Sequence, residues 1–291
     1  MSGRLAVRMA AWLLAGLALA AAAQQPTFRS GVEAVRVDVL VTEGGRLVTG
    51  LRPEDFELRD NGVRQQVDLV DTAEMPLNVV FVFDLSESVA GQPLEHLRAA
   101  SRAVLDGLHR EDRAALVGFN ESVQLGSRLT TDHHKVAEAL TSVEPRGYTS
   151  WLDAAFAGLL VAESEPGRSL ALIFSDGVDT SSWLAPEAVF GIARRTGVVV
   201  YGVSAGAVHE PFELKTLADG SGGRLITVGS TQTLGGTFLQ ILDEFRHRYV
   251  LAFSPRGVSP SGWHTLEVGV KSRRATVRAR PGYHAGSLQA R

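Results

Sequence analysis

The sequence contains no cysteine among its 291 residues. This absence excludes disulfide bridges, iron–sulfur clusters, thiolate zinc sites, a cysteine nucleophile and a lipid-modified N-terminal cysteine. Any metal site must therefore use oxygen or imidazole ligands. An excess of positive charge is also missing, because 29 Lys and Arg stand against 32 Asp and Glu, a net charge of −3. The chain as a whole is therefore not a general nucleic-acid binder.

Long apolar runs are lacking after the N-terminus. Residues 1–23 carry Arg4 and Arg8, followed by an uncharged apolar run from Met9 to Ala23. This run of about 15 residues is shorter than the roughly 20 that span a bilayer, and it is typical of a secretory signal peptide. We expect an exported protein, periplasmic or extracellular. The alternative is an uncleaved N-terminal anchor, which would then be the one membrane contact.

Residues 24–76 show the period-two alternation of β-strands. Valines at alternate positions share one side of a predicted strand: Val35, Val37, Val39 and Val41. Gly44-Gly45 and Asp60-Asn61-Gly62 are typical of hairpin turns, in which Asn and Gly tolerate a positive φ. The sequence therefore predicts a small antiparallel β segment here.

Residues 77–246 alternate short apolar runs with helical segments, which predicts an α/β fold with a doubly wound, mostly parallel sheet. The predicted strands are Asn78–Phe83, Ala114–Phe119, Leu170–Phe174, Val198–Val203 and Leu225–Val228. The predicted helices are Leu94–His109, Val136–Val143, Leu152–Glu163, Pro186–Arg195 and Thr233–Arg246. Ala114–Phe119 and Val123–Leu129 are too close in sequence for a crossover helix, so we expect a hairpin with one antiparallel edge strand.

Residues 247–291 return to strand patterns, at Tyr249–Phe253, Thr265–Val270 and Ala275–Arg280. This tail is too short for a core of its own, so we expect it to pair with residues 24–76 as one β module. The tail is also basic, with Glu267 as its one acidic residue. The acidic residues of the chain lie almost entirely before this tail, in what is called here the acidic domain. The charge of the tail indicates either a solvated face that complements the acidic domain or a surface for an anionic partner.

Five oxygen-bearing side chains are candidate ligands: Asp84, Ser86, Ser88, Thr149 and Asp176. Four of them follow predicted strands where strands of this architecture meet a crevice, and Thr149 lies in a loop between the two strands in sequence, just before a predicted helix. Because the carboxyl ends of parallel strands meet at one sheet edge, these groups are expected to converge. Hard oxygen donors suit Mg²⁺, with Mn²⁺ or Ca²⁺ as alternatives. Two carboxylates balance the charge of the ion, and the hydroxyls add none. Such a site would accept one more anionic oxygen from a partner.

These residues resemble the metal-ion-dependent adhesion site of a von Willebrand factor type A domain. The family pattern is Asp-x-Ser-x-Ser, then a Thr and then an Asp in later loops, and residues 77–246 match it in order. The resemblance implies hydroxyl ligation by Ser86, Ser88 and Thr149, with Asp84 and Asp176 binding directly or through water. It also implies a non-enzymatic module that binds a protein or other anionic ligand through its Glu or Asp.

The flanks resemble secreted bacterial VWFA-related proteins, which adds little about the ligand. The matching stretches are Pro53-Glu54-Asp55-Phe56 and Arg280-Pro281-Gly282-Tyr283. In the family the last helix can shift when the metal is engaged, which implies that Thr233–Arg246 transmits binding to the β tail. Glu87 departs from the small residues usual inside the first motif, and we expect it to point to solvent or to a helix N-terminus.

Two alternative functions remain open at this point. Gly202-Val203-Ser204-Ala205-Gly206 matches a nucleophile elbow, so a secreted serine hydrolase using Ser204 is one alternative. The elbow needs a helix directly after the serine, whereas Pro211 places the next helix later. A metal-stabilised structural component of the envelope is the other alternative. Trp151 and Trp183 are equally consistent with partner contacts and with core packing.

Two further motifs have simpler interpretations. His133 and His134 are adjacent on a predicted helix and point about 100° apart, so they are not expected to share a zinc ion. Asn120-Glu121-Ser122 fits a glycosylation acceptor, but a short turn between two strands explains it as well.

Overall fold

The described part of this computed structural model comprises residues 34–70, 75–176, 178–206, 211–271 and 274–286. The predicted signal peptide, residues 1–23, lies outside it. The strands are β1 (Val35–Glu43), β2 (Arg46–Leu47), β3 (Phe56–Asp60), β4 (Val63–Gln65), β5 (Asp68–Val70), β6 (Leu77–Asp84), β7 (Arg113–Phe119), β8 (Val123–Thr130), β9 (Arg168–Ser175), β10 (Val199–Ala205), β11 (Arg224–Val228), β12 (Tyr249–Phe253), β13 (Gly262–Val270), β14 (Thr276–Arg278) and β15 (Gly282–Ala285). The helices are α1 (Gln92–Asp106), α2 (His133–Thr141), α3 (Trp151–Ala162), α4 (Pro186–Ala193), α5 (Phe212–Gly220) and α6 (Leu234–Arg246).

The central sheet has the order β11-β10-β9-β6-β7-β8. Its strands are parallel except for β8, which pairs antiparallel with β7 at the edge. The predicted doubly wound sheet with one antiparallel edge strand is therefore confirmed. Helix α5 begins directly after Pro211, as the proline indicates, and β15 is a strand that the sequence pattern did not identify.

Helices cover both faces of this sheet, so β6 and β9 are buried along their whole length. One face packs against α1, α2 and α6, through residues such as Leu97, Leu140 and Phe238. The other face packs against α3, α4 and α5, through residues such as Leu159 and Leu217. Apolar layers on both sides fix the strand ends, and therefore the loops that follow them.

The segments before and after the α/β region pair with each other. β1 pairs antiparallel with β12 and with β14, and β13 pairs antiparallel with β3 and with β15. Both predicted hairpin turns are confirmed: φ is 56° and 78° at Gly44 and Gly45, and 47° and 80° at Asn61 and Gly62. A third apolar cluster, which includes Val37 and Leu251, fills this β structure.

Arginines join the β structure to the α/β region. Arg168 of β9 donates to Asp38 of β1 at 2.6 Å, and Arg278 donates to Asp219 of α5 at 3.1 Å. Buried Arg248 donates to the carbonyl of Gly222. Two arginines of the basic tail thus bind groups of the α/β region. This fits the interpretation in which the charge of the tail complements the acidic domain. Among the described residues, no helix has both the length and the apolar character needed to cross a bilayer.

Candidate functional site

The candidate site lies at the carboxyl edge of the central sheet. Strands β6 and β9 are neighbours, with Phe83 paired to Phe174, so Asp84 and Ser175 end adjacent strands side by side. Both residues are buried. The loops that follow them therefore start from fixed positions, as the topology requires of parallel strands.

Four of the five predicted ligands form one hydrogen-bonded chain. The Oδ1 of Asp84 accepts the backbone N–H of Ser86 at 2.9 Å. The hydroxyls of Ser86 and Ser88 lie 3.0 Å apart, and the Oγ of Ser88 donates to Oδ1 of Asp176 at 2.9 Å. The Oδ2 of Asp84 accepts the hydroxyl of Ser175 at 2.7 Å. Two loops from separate strands thus place their oxygen atoms together.

The charges of this cluster fit a divalent cation. Burial raises the pKa of Asp84, hydrogen bonds from Ser86 and Ser175 lower it in part, and the charge of Asp176 raises it further. Neither Asp84 nor Asp176 forms an ion pair with a basic side chain of the described residues. A buried carboxylate without a counter-charge is costly. A hard divalent ion would supply that charge, and the oxygen donors present suit it.

Hydroxyl groups would be necessary for such an ion. Nowhere in the described part of the chain do three His, Asp or Glu side chains cluster in a way that could hold a metal. Two carboxylates alone leave most of the roughly six positions around Mg²⁺ open. The serines between the two aspartates are therefore as important to the donor set as the acids.

Thr149, the fifth predicted ligand, lies in the neighbouring loop and is 7% exposed. Its carbonyl accepts the N–H groups of Thr180 and Ser181, and its own N–H donates to Oγ1 of Thr180. No hydrogen bond joins its side chain to the other four candidate residues in the described structure. The link between the loops is made by the backbone, where the N–H of Glu87 donates to the carbonyl of Gly147 at 3.3 Å.

Glu121 supports the Thr149 loop and was not identified from the sequence. Its Oε2 accepts the N–H of Tyr148 at 3.2 Å. Gly147 has a φ of 70°, and a Cβ on it would overlap the Glu121 carboxylate. The need for glycine at position 147 therefore has a defined structural cause. The partner, Glu121, is 27 residues away from Tyr148 along the chain, and no local pattern points to it.

Two aspartates fasten the loop after β9 to helix α3. The Oδ2 of Asp179 accepts the N–H of Leu152 at 3.0 Å, in the first turn of that helix. Asp153 accepts the N–H groups of Trp183 and Leu184 at 3.0 and 2.9 Å. Carboxylates at a helix N-terminus satisfy free N–H groups and the helix dipole. The Thr149 loop and the loop after Asp176 are thereby held as one surface.

Glu87 is exposed and opens a short 3-10 turn, Glu87–Val89. Its carboxylate forms no hydrogen bond or ion pair with the described residues. This agrees with the expectation that Glu87 points to solvent and leaves the serine hydroxyls available.

Ser204 lies inside β10, paired to Ser175 and to Thr227 of the adjacent strands, and is 1% exposed. The next helix begins only at Phe212. Four histidines follow Ser204 in the sequence. His264 contacts Asp60, His247 contacts Asp243 and His284 packs against Trp263, while His209 lies outside the described residues. In the part of the chain that is described, Ser204 therefore has no histidine base.

The two tryptophans have different environments. Trp151 is buried in the cluster under α3, so it is a core residue. Trp183 is 94% exposed, in the loop held by Asp153. Tyr148 and Val178, beside Thr149 and Asp176, are 70% and 77% exposed. Apolar side chains thus remain accessible around the candidate site.

The remaining motifs have structural roles. His133 opens α2 with Nε2 2.9 Å from the carbonyl of Asp112, and His134 pairs with Glu138 instead of sharing its neighbour's contacts. Asn120 is buried, and its Oδ1 accepts the N–H of Ser122 at 2.9 Å within the turn between β7 and β8. The simpler interpretation of each motif fits the structure.

Comparisons with known proteins agree with this architecture. The profile of the family described as von Willebrand factor type A domain matches residues 78–240. Human inter-alpha-trypsin inhibitor heavy chain H6 is 29% identical over 137 residues, which is 42% of this chain and 10% of the relative. The porcine heavy chain H2 is 29% identical over 119 residues, 36% of this chain and 13% of the relative. The matched region thus spans about a tenth of these curated relatives.

Solved structures share the fold at low identity. A von Willebrand factor type A protein from Catenulispora acidiphila has a TM-score of 0.52 at 16% identity, covering 79% of this chain and 73% of that one. Proximal thread matrix protein 1 from the mussel byssus has a TM-score of 0.53 at 18% identity, covering 63% and 49%. That mussel structure is described as having a zinc-occupied MIDAS motif, which is the abbreviation for metal-ion-dependent adhesion site.

Proposed function

Because the chain belongs to the von Willebrand factor type A domain family, we propose that it is an extracytoplasmic module that binds a partner through a Mg²⁺-dependent adhesion site. The observation that carries the proposal is the chain of contacts from Asp84 through Ser86 and Ser88 to Asp176. Two carboxylates that pair with no basic side chain of the described residues meet there with two hydroxyls. The zinc-occupied motif named for the mussel protein supports a divalent ion at the equivalent place.

The proposed ligand set is Asp84, Ser86, Ser88, Thr149 and Asp176. The bound ion would supply an electrophilic position that accepts a carboxylate oxygen of the partner. Thr149 would join through its hydroxyl from the neighbouring loop, which Glu121 and Thr180 hold in place. Mg²⁺ is proposed because these donors are hard oxygens, with Mn²⁺ and Ca²⁺ as replacements.

The proposed partner is a protein, or another anionic ligand, that presents a Glu or Asp. Exposed Tyr148, Val178 and Trp183 would pack around that acid. Exposed aromatic side chains are typical anchors of protein interfaces. Structural relatives with the same fold include a minor pilin from Streptococcus sanguinis, which is consistent with an interaction role outside the cytoplasm.

The proposed organisation places residues 1–23 as a signal peptide and 77–246 as the binding domain. Residues 24–76 and 247–291 would form one β module that carries it. The pairing of β1 with β12 supports this division.

A hydrolase acting through Ser204 has no support in the described structure, since that serine is buried within a strand. The third alternative, a structural envelope component, would assemble without metal.

Metal binding is the first test. Calorimetric titration of the mature chain with Mn²⁺ and Mg²⁺ should show one site, which Asp84→Ala and Asp176→Ala abolish. Asp176 is partly exposed, so its variant is expected to fold even where Asp84→Ala does not. Ser204→Ala is the control and should bind as the wild type does. Unchanged binding in both aspartate variants would refute the proposed site.

Partner capture is the second test. The mature chain, immobilised with Mg²⁺, should retain partners from an envelope extract that EDTA releases and that the Asp176→Ala chain does not retain. Retention that is equal in EDTA would favour the structural alternative. Ester hydrolysis in EDTA that is lost in Ser204→Ala, together with labelling by a fluorophosphonate, would instead favour the hydrolase.

A further inference from the structure

A polar cavity lies at the end of the central sheet opposite the candidate metal site. Its volume is about 160 Å³. It includes Arg168, the first residue of β9, and Met75, which lies just before β6. The candidate metal site follows the last residues of these same two strands. The two places therefore have no residue in common.

Positive charge is in excess around this cavity. Its charged lining residues are Arg36, Arg168, Arg195, Arg280, Asp38 and Glu163. Asp38 is paired with Arg168 at 2.6 Å, so these two charges offset each other. The carboxylate of Glu163 accepts the backbone N–H of Gly197 at 3.0 Å. Three arginines against one further carboxylate leave the lining positive.

Some donors of these guanidinium groups meet no acceptor among the described residues. Arg280 donates from NH1 to the carbonyl of Thr196 at 3.3 Å and from NH2 to the carbonyl of Arg36 at 2.7 Å. Its Nε is buried without a hydrogen-bond partner among the described residues. Arg36 and Arg195 are exposed, and their side chains form no hydrogen bond with the described residues. A buried charged donor without an acceptor is unfavourable, so the Nε of Arg280 favours a ligand that supplies an acceptor oxygen. The exposed guanidinium groups of Arg36 and Arg195 are free to contact the same ligand.

We infer that this cavity binds a small tetrahedral oxyanion, a phosphate or sulfate group. Arginine presents its donors in a fork that fits such oxygens, and arginine clusters recognise phosphate for that reason. The space is many times that needed by a single water. The anion would contact β1 through Arg36, the turn after α4 through Arg195 and the C-terminal segment through Arg280. It would therefore hold the β strands of the flanks to the α/β region.

The test is calorimetric titration of the mature chain with sodium phosphate and sodium sulfate, at constant ionic strength in NaCl and with EDTA present. EDTA removes divalent ions, so phosphate cannot bind through a metal at Asp84. Saturable binding at one site and a rise in Tm with anion concentration are expected. Arg195→Ala and Arg36→Ala should each weaken binding by about tenfold or more.

Arg110→Ala is the matched control, because Arg110 is also exposed and without a partner in the described structure but lies away from the cavity. Arg110→Ala should bind phosphate as the wild type does. Arg195 is exposed, so its variant is expected to fold even where Arg280→Ala does not. The inference would be overturned if the wild type showed no saturable phosphate binding. It would also be overturned if Arg195→Ala and Arg36→Ala bound phosphate as tightly as the wild type.

Two further experiments are needed. The first distinguishes a free anion from the phosphate ester of a larger molecule, and the second tests the anion cavity separately from the metal site. Glycerol 3-phosphate binding as tightly as inorganic phosphate would support a terminal ester of a larger molecule, and weaker binding would support a free anion. Asp176→Ala should keep phosphate binding and lose Mn²⁺ binding, whereas Arg195→Ala should do the reverse. The anion cavity and the metal site can therefore fail independently.

Discussion

The hydroxyl of Ser88 donates to the carboxylate of Asp176 across 2.9 Å, although 88 residues separate them in the chain. This contact joins the loop after β6 to the loop after β9, and it forms because these strands are neighbours in the sheet. It places one hydroxyl and one carboxylate where a cation could bind to both. Its loss should therefore affect ion binding more than folding.

We expect Ser88→Ala to weaken Mn²⁺ binding by about 10–100-fold, the range found when a metal site loses a supporting group. Because Ser88 is exposed, the free energy of unfolding should change by less than about 0.5 kcal/mol. Titration calorimetry and urea unfolding measure the two quantities. Ser127→Ala, in β8, is the control and should leave the Mn²⁺ affinity unchanged. A folded Ser88→Ala chain with wild-type affinity would remove Ser88 from the ligand set.

Gly147→Ala should destabilise the loop that carries Thr149. The φ of 70° is unfavourable for alanine, and the new Cβ would overlap the Glu121 carboxylate. We expect a loss of about 1–3 kcal/mol in the free energy of unfolding and weaker Mn²⁺ binding. Urea unfolding and metal titration would measure both.

Gly236→Ala provides the matched comparison. Gly236 lies in α6 with open space around its Cβ position, so alanine there should be neutral or stabilise by up to about 1 kcal/mol. Combining Glu121→Ala with Gly147→Ala should recover the part of the loss that comes from the overlap. If Gly147→Ala were as stable as Gly236→Ala, Glu121 would not constrain this loop.

Asp112 should make stability depend on pH. Burial alone would raise its pKa, but hydrogen bonds from the Leu77 N–H and the Arg246 guanidinium outweigh this and lower the pKa below its ordinary value of 3.8. A carboxyl group with a lowered pKa stabilises the fold at pH values above 3.8, and this contribution disappears as the pH falls through the lowered value. Arg246 is the last residue of α6, and the pair is 2.6 Å apart.

We therefore expect Asp112→Asn to lose about 1–3 kcal/mol of unfolding free energy at pH 7, with the difference from wild type shrinking below pH 3.8. Urea unfolding at several pH values is the measurement. Asp106→Asn, at the exposed end of α1, is the control and should show no such dependence. A difference that stayed constant from pH 7 to well below 3.8 would contradict the assignment.

The elements of the fold were predictable because buried parallel strands and amphipathic helices have distinct periodicities. Motif order and strand ends predict that the candidate ligands meet, and Asp84, Ser86, Ser88 and Asp176 are joined by hydrogen bonds in the structure. The supporting roles of Glu121 and Asp179 could not be predicted, since each contacts a backbone N–H 27 residues away and no local pattern encodes that pairing. The difference between buried Trp151 and exposed Trp183 likewise depends on packing that appears only in three dimensions.

Helix α6 should respond to metal, because its Phe238 stacks on Phe83 with ring centroids 5.9 Å apart. Phe83 directly precedes Asp84, so fixing that carboxylate would also fix the ring against which α6 packs. We expect slower amide hydrogen exchange in residues 234–246 with Mg²⁺ than with EDTA. Hydrogen-exchange mass spectrometry measures this, with α5 as the internal reference on the other face of the sheet.

Phe238→Leu should reduce the difference in exchange between Mg²⁺ and EDTA while leaving Mn²⁺ affinity within about threefold of wild type, since Phe238 supplies no oxygen ligand. Equal exchange in α6 with and without Mg²⁺, at an ion concentration that saturates the site, would show that the helix and the metal site are not coupled.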